Sequence, residues 1–316
     1  MMMRADLHVH TLHSTRSGNM RFLRSRDCYS RPIDVYRRAK SRGMNLVAIT
    51  DHDSIDGALE LAAGVESPAD VIIGEEVSCR HGDIQVHLGV YGMTEALHRE
   101  IQPLRGNALD LIACLRAAGV FFSLNHLLHF YRGQTPLADY LRLLDEVPAL
   151  EARNGAMLQA HNLLIEAIVA RRTAGNETTL SAIGGSDAHT LRRVGRTWTE
   201  APGGNREEFL DSLKRGLGRP GGDHGTASTV AGDTYGVIRS YLGSLIGVGP
   251  RDHAGWHRAG CVAFGGVSLP FQFIPMVIAV TGKRREANTV RTVTAELNAA
   301  VAGARLEPLQ VEDAPW

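Results

Sequence analysis

The sequence predicts an α/β domain of largely parallel strands followed by a helical C-terminal extension. Three observations predict it. Short apolar runs alternate with helical patterns up to about residue 225. Histidines and carboxylates recur at the C-terminal ends of those runs. The 316 residues, 44% hydrophobic and 22% charged, can bury the core of one large α/β domain with a small appendage.

The elements follow in order. "ADLHVH" (5–10) reads as a strand. "PIDVYRRAKSRG" (32–43) reads as a helix, with Pro near its start and Gly at its end. "MNLVAIT" (44–50) is the next strand and "DGALELAAG" (56–64) a short helix. "DVIIGEEVS" (70–78) and "DIQVHLGVYG" (83–92) are strands. "NALDLIACLRAAG" (107–119) is a helix with apolar residues at helical spacing and a terminal Gly. "VFFSLNH" (120–126) is a strand, "LADYLRLLDEV" (137–147) a helix and "PALEARNG" (148–155) a strand. A long helix over 156–175, a strand over 179–189 and a helix over 205–216 complete the series. Roughly seven strands wrapped by helices make either a barrel or an open parallel sheet, and both place function at the strands' C-terminal ends. "GRPGGDHG" (218–225) reads as a break between a domain over 1–225 and an extension over 226–316.

Composition narrows the function. The formal net charge is zero, which argues against a strongly electrostatic nucleic-acid binder. Cys28, Cys79, Cys114 and Cys261 are scattered without CxxC spacing and read as free thiols of a reducing, cytoplasmic compartment. No signal peptide is expected from the way the chain opens.

The 14 histidines are the unusual feature. His8 and His10 lie two apart on the first strand, so both side chains face one way. The following strands deliver Asp51, His52 and Asp53, then Glu75 and Glu76, then His87, then His126, and finally Asp187 and His189. Imidazole and carboxylate together suit Mn²⁺, Zn²⁺ or Fe²⁺, and a carboxylate can bridge two ions. Two or three such ions can clamp a phosphate and lower the pKa of a water. There is no GxSxG elbow and no Walker phosphate loop. His13, His81, His98, His129, His161, His224, His253 and His257 read as surface or structural residues. Asp51 and Asp53 read as partners that orient neighbouring histidines.

The pieces "DLHVHT", "AITDHDSIDG", "GEEVS", "VHLGVYG", "LNH" and "GGSDAHT" resemble, in order over roughly residues 4–225, the successive motifs of the PHP (polymerase and histidinol phosphatase) family. The resemblance implies a distorted seven-stranded (β/α)7 barrel with a di- or trinuclear centre that hydrolyses phosphomonoesters or phosphodiesters. It implies His8 and His10 on a first metal, Glu76 as the bridging carboxylate, and Glu75 pointing the other way. His87 and His126 match ligands of a second metal, Asp187 returns to the first, and His52 and His189 match a third. Glu76, Asp187 and His52 are the expected catalytic group. The chain departs from the family pattern in having Thr15 where an aspartate often stands, so His13, Asp27 or a water would have to compensate, or the third ion would bind weakly. Leu127 replaces the usual proline after His126, which reads as a packing change. The basic insertion over 14–31 is a candidate lid.

A phosphate needs cationic partners, and Arg153, Arg193 and Arg196 trail the last two strands. The expected partner is therefore a phosphorylated small molecule or a short nucleic acid. In the extension, residues 259–282 carry no charge and are flanked by Arg258 and by Lys283, Arg284 and Arg285. The length suits a bilayer and the flanks an inner-membrane surface. Pro270, Pro275 and Gln272 favour instead a pair of broken apolar helices docked on the barrel or a second subunit. Peripheral membrane contact through 259–285 is one expectation. Two other readings of the whole chain are a C–N hydrolase of the amidohydrolase kind, for which no lysine bridge is present, and a degenerate metal-binding scaffold, which Thr15 supports.

Overall fold

The structure, a computed structural model, describes residues 1–14, 23–133, 135–174, 180–250, 252–253, 255–267 and 271–302. Its strands are β1 (Met2–Asp6), β2 (Leu46–Ile49), β3 (Val71–His81), β4 (Ile84–Tyr91), β5 (Phe121–Asn125), β6 (Ala149–Asn154), β7 (Ser181–Gly185), β8 (Thr197–Pro202) and β9 (Arg219–Gly222). They form one sheet in the order β7-β6-β5-β4-β3-β2-β1-β8-β9. Past the end of β1 the chain meets β7's end through a parallel Val9–Ala188 bridge, with His10 N donating to Ala188 O at 3.1 Å. The first seven strands thus nearly close into a barrel, as expected.

Among the described residues the strand count is nine where seven were expected. β8 pairs antiparallel with β1, Met2 opposite Pro202, and β9 pairs antiparallel with β8. The Gly-rich stretch read as a break contains β9; its proline is tolerated on an edge strand, where no ladder donor is needed. Nor are all strands parallel: β4 runs antiparallel to both β3 and β5. The β3–β4 hairpin turns at Gly82, whose φ of +58° suits glycine.

The helices are α1 (Pro32–Ser41), α2 (Asp56–Gly64), α3 (Glu95–Ile101), α4 (Ala108–Ala117), α5 (Leu137–Leu141), α6 (Gln159–Ala174), α7 (Arg206–Lys214), α8 (Ala227–Leu245), α9 (Gly255–Val267) and α10 (Ile274–Ala302). Caps fix several starts: Asn107 accepts from Leu109 N, Asn205 from Glu208 N, and Thr226 forms a capping box with Thr229. Ala5, Ala48, Tyr91, Phe121 and Ile183 come from five strands and share one apolar cluster. A larger cluster lies under α4 and α6 and takes in Val290 and Val293 of α10.

The extension grips the barrel's rim. Thr190 Oγ1 donates to Asp233 of α8 at 2.7 Å, and Leu158 N donates to Glu286 of α10 at 2.6 Å. The uncharged stretch is split between α9 and α10, as the broken-helix reading expected. Among the described residues no helix is long and apolar enough to cross a membrane. Trp256 and Val267 of α9 and Ile274 and Ile278 of α10 nevertheless stand exposed.

Candidate metal centre

The centre forms at the C-terminal ends of β1, β5 and β7, with Glu76 and His87 contributed from within β3 and β4. His8 and His10 lie just past β1, and Asp187 and His189 just past β7. His87 is on β4, facing Asn125 across the β4–β5 pair, and His126 follows β5 directly. Left-handed backbone marks three residues past strand ends: Asp53 after β2 (φ 52°), His126 after β5 (φ 29°) and Asp187 after β7 (φ 50°). Such a conformation is costly for non-glycine residues and persists where surrounding structure imposes it, commonly at functional sites.

Glu76 is the hub. Its Oε1 lies 3.2 Å from His8 Nε2, 3.2 Å from His87 Nδ1 and 3.0 Å from His126 Nε2. Its Oε2 lies 3.0 Å from His52 Nδ1 and 3.6 Å from His10 Nε2. Asp187 Oδ1 lies 3.5 Å from His8 Nε2 and 3.4 Å from His10 Nε2. His189 turns its Nδ1 towards Asp187, 3.7 Å away, and its Nε2 to Asp27, 2.8 Å away. All eight expected ligands therefore converge. Glu75 points the other way, onto His98 of α3 at 2.7 Å.

Electrostatics suit cations. Burial opposes charge on Glu76, yet the imidazoles of His8, His87 and His52 outweigh it and hold its carboxyl well below the usual range. Against the same burial, His8 does so for Asp187. Burial, with His189 and His52 nearby, takes His10 down to about 3, which leaves the neutral imidazole a metal requires. Six buried ligand atoms have no hydrogen bond: His8 Nε2, His10 Nε2, Asp27 Oδ2, His52 Nδ1, Glu76 Oε2 and His87 Nδ1. Buried polar atoms are rarely left so, and divalent cations satisfy this set. The potential ligand groups overlap: His8 with His10 and Glu76; His8 with His126 and Asp187; His52 with Glu76 and His87; His10 with Asp27, His52 and His189.

Several residues of the site were not expected from sequence. Glu151 accepts from His8 Nδ1 at 2.8 Å, from His126 N at 3.0 Å and from Asn154 Nδ2 at 2.8 Å. A register shift in β6 beside it breaks the ladder there. Asn125 donates to Glu76 Oε1 at 3.1 Å, and Ser14 Oγ lies 3.0 Å from His10 Nδ1. Asp27, named only as one compensator for Thr15, occupies the fourth group. Thr15 itself, with residues 16–22 of the candidate lid, lies outside the described residues. Cys28 anchors the next turn by donating to the carbonyls of His10 and His189 at 3.3 and 3.2 Å.

Other expectations are placed elsewhere. Asp51 binds Thr11 through N and Oγ1 at 2.5 and 2.7 Å, and Asp53 binds Ser78 N at 2.8 Å and Arg105, so neither orients a histidine. Arg153 pairs with Glu166 at 2.7 Å, Arg196 with Asp223 at 3.3 Å, and Arg193 is buried against the Gly155 carbonyl. His13 pairs with Glu60 at 2.7 Å. His161 is wholly buried in α6, a structural residue of the helix.

A family model described as PHP-associated (PHP_C) matches residues 169–217, which include Asp187 and His189. Over 83 residues, 26% of this chain, the sequence is 37% identical to the uncharacterized protein MJ1587 of Methanocaldococcus jannaschii. The match spans about half (48%) of that protein's length. A two-domain protein from Bacteroides vulgatus containing a predicted PHP-like metal-dependent phosphoesterase shares the fold, with a TM-score of 0.53 and 14% identity over 77% of this chain and 69% of its own. The lesion-specific endonuclease PfuEndoQ of Pyrococcus furiosus superposes with a TM-score of 0.44 at 18% identity, covering 70% of this chain and 57% of its own.

Proposed function

We propose that this chain is a PHP-family phosphoesterase that hydrolyses phosphomonoesters or phosphodiesters, a reading supported by its motif order, its fold and its PHP-associated segment. The convergence of hydrogen-bond-free buried ligand atoms on Glu76 carries the reading. Two or three divalent ions, Mn²⁺, Zn²⁺ or Fe²⁺, would supply Lewis acidity and an activated water when bound.

The chain's own residues do the rest. Glu76, with Oε1 towards His8, His87 and His126 and Oε2 towards His52 and His10, would bridge neighbouring ions. Asp187 would share the first ion with His8 and His10, while His52, His189 and Asp27 would hold the third. Glu151 holds the His8 ring so that Nε2 faces inward. Arg153, Arg193 and Arg196 would each have to leave a present partner to meet a phosphate, so charge neutralisation of the substrate falls first to the ions.

The substrate class, a nucleotide, an oligonucleotide end or a sugar phosphate, belongs to this proposal, as does a cytoplasmic location, which the four free cysteines support. Peripheral contact with a membrane surface is supported only by the exposed apolar residues of α9 and α10.

The test is metal analysis paired with a panel of phosphate esters. Metal-dependent phosphate release, lost in a His8→Ala/His10→Ala double variant, is the expected result. Ammonia release without phosphate release would favour the C–N hydrolase, and metal-loaded protein inert on both would favour the scaffold.

A further inference from the structure

A second cluster of metal-ligating side chains lies outside the barrel. His257 and Cys261 are four residues apart on α9 and share one face of the helix, and His253 sits two residues before that helix. The three ligand atoms all lie within 4.8 Å of one another. His253 Nδ1 is 3.2 Å from His257 Nδ1, with the rings inclined by 20° and their centroids 5.2 Å apart. Cys261 Sγ is 3.9 Å from both ring nitrogens of His257. His253 and Cys261 are buried, and Tyr241 stands edge-on to His253 at 5.6 Å. Leu23, Leu245 and Tyr29 close the apolar side.

We infer that His253, His257 and Cys261 form a separate soft-metal site for one zinc-class divalent cation, which fastens α9 to the segment that carries Asp27. The chemistry selects the ion. A thiolate with two imidazoles suits Zn²⁺ and its relatives and disfavours Mg²⁺ and Ca²⁺, which seek oxygen. Nitrogens 3.2 Å apart also fit two ligands of one tetrahedral ion, at ~2.0–2.1 Å from the metal each. The barrel centre offers only nitrogen and oxygen, so the two sites differ in kind.

The position explains a role. The neighbouring Asp252 grips Arg26 bidentately, Oδ2 to Nε at 2.6 Å and Oδ1 to Nη2 at 2.7 Å, and Arg26 in turn donates to the Leu12 carbonyl at 2.5 Å. Arg26 immediately precedes Asp27, which meets His189 at 2.8 Å. A cation bound by the extension would therefore steady the wall of the barrel centre through Asp252 and Arg26. This inference does not depend on the phosphoesterase reading.

The test uses the full chain loaded with Co²⁺. A thiolate ligand gives near-ultraviolet thiolate-to-cobalt absorption that nitrogen and oxygen ligands do not. The wild type and a Cys28→Ser control are expected to show it and to bind one equivalent more cobalt than Cys261→Ala. A His257→Gln variant, which keeps the thiol, is expected to lose or shift the band, and Zn²⁺ should bleach it in the wild type. No such absorption in the loaded wild type would overturn the site, because the short His253–His257 approach would then be a hydrogen bond between imidazoles. Absorption that survives Cys261→Ala, or vanishes in Cys28→Ser, would overturn it equally.

Discussion

Glu151 accepts a hydrogen bond from His8 Nδ1 at 2.8 Å, and this single contact decides which nitrogen of His8 faces the centre. With Nδ1 engaged, Nε2 is left 3.2 Å from Glu76. Outer carboxylates of this kind orient a ligating imidazole and raise its basicity. Glu151→Gln keeps the shape but weakens the acceptor. Metal affinity is expected to fall about 10–100-fold, read by titration calorimetry with Mn²⁺ or Zn²⁺, with the fold intact by circular dichroism. Unchanged affinity would show that the ring is held by packing alone.

Asp27 falls in the fourth potential ligand group, with His10, His52 and His189. Asp27→Asn is expected to lower bound metal by one equivalent per chain and leave the ions around Glu76 in place. Elemental analysis after dialysis decides it, and full stoichiometry in the variant would remove Asp27 from the ligand set.

Metal removal should act through Glu76. Ligands that bind only the folded state stabilise it by mass action. Chelation is therefore expected to lower the melting temperature of the wild type. Glu76→Gln removes the hub, so its melting temperature should respond little to chelator. An equal drop in both proteins would place the stabilising ion elsewhere.

Gly185 gives His8 its room. A Cβ at this position would lie 2.3 Å from His8 Cβ and 2.6 Å from His8 N. Backbone on both sides cannot move aside cheaply. Gly185→Ala is expected to destabilise by about 1–3 kcal/mol in urea unfolding and to reduce metal content. A variant as stable as wild type would show that β1 and β7 can separate at this point.

Cys79 should be chemically silent. Burial pushes its thiol up to about 12. The reactive thiolate grows as pH rises towards that value, so at pH 8 it is on the order of one molecule in ten thousand. Iodoacetamide mapping of the native protein at pH 8 should leave Cys79 unlabelled and denaturant should expose it. Rapid native labelling would mean that the β3–β4 hairpin opens.

The sequence by itself determined which residues gather around Glu76. Strand geometry alternates side chains with period two, so His8 and His10 share a face and Glu75 parts from Glu76, and the motifs follow the strands in order. It also made the helical break in the uncharged C-terminal stretch readable, through Pro270 and Pro275. Only the tertiary structure decided what meets those residues from afar. Asp27 reaches His189 across 162 positions of chain and Glu151 reaches His8 across 143, distances at which no local periodicity leaves a trace. The direction of β4 and the pairing of β8 with β1 were likewise set by partners that apolar runs do not specify. His253, His257 and Cys261 are close in sequence, yet they read as ordinary residues until α9 put two on one face and packing against Leu23 and Tyr29 buried Cys261. A ligand's type is a local property of the chain, whereas its partner and its burial are properties of the packed whole.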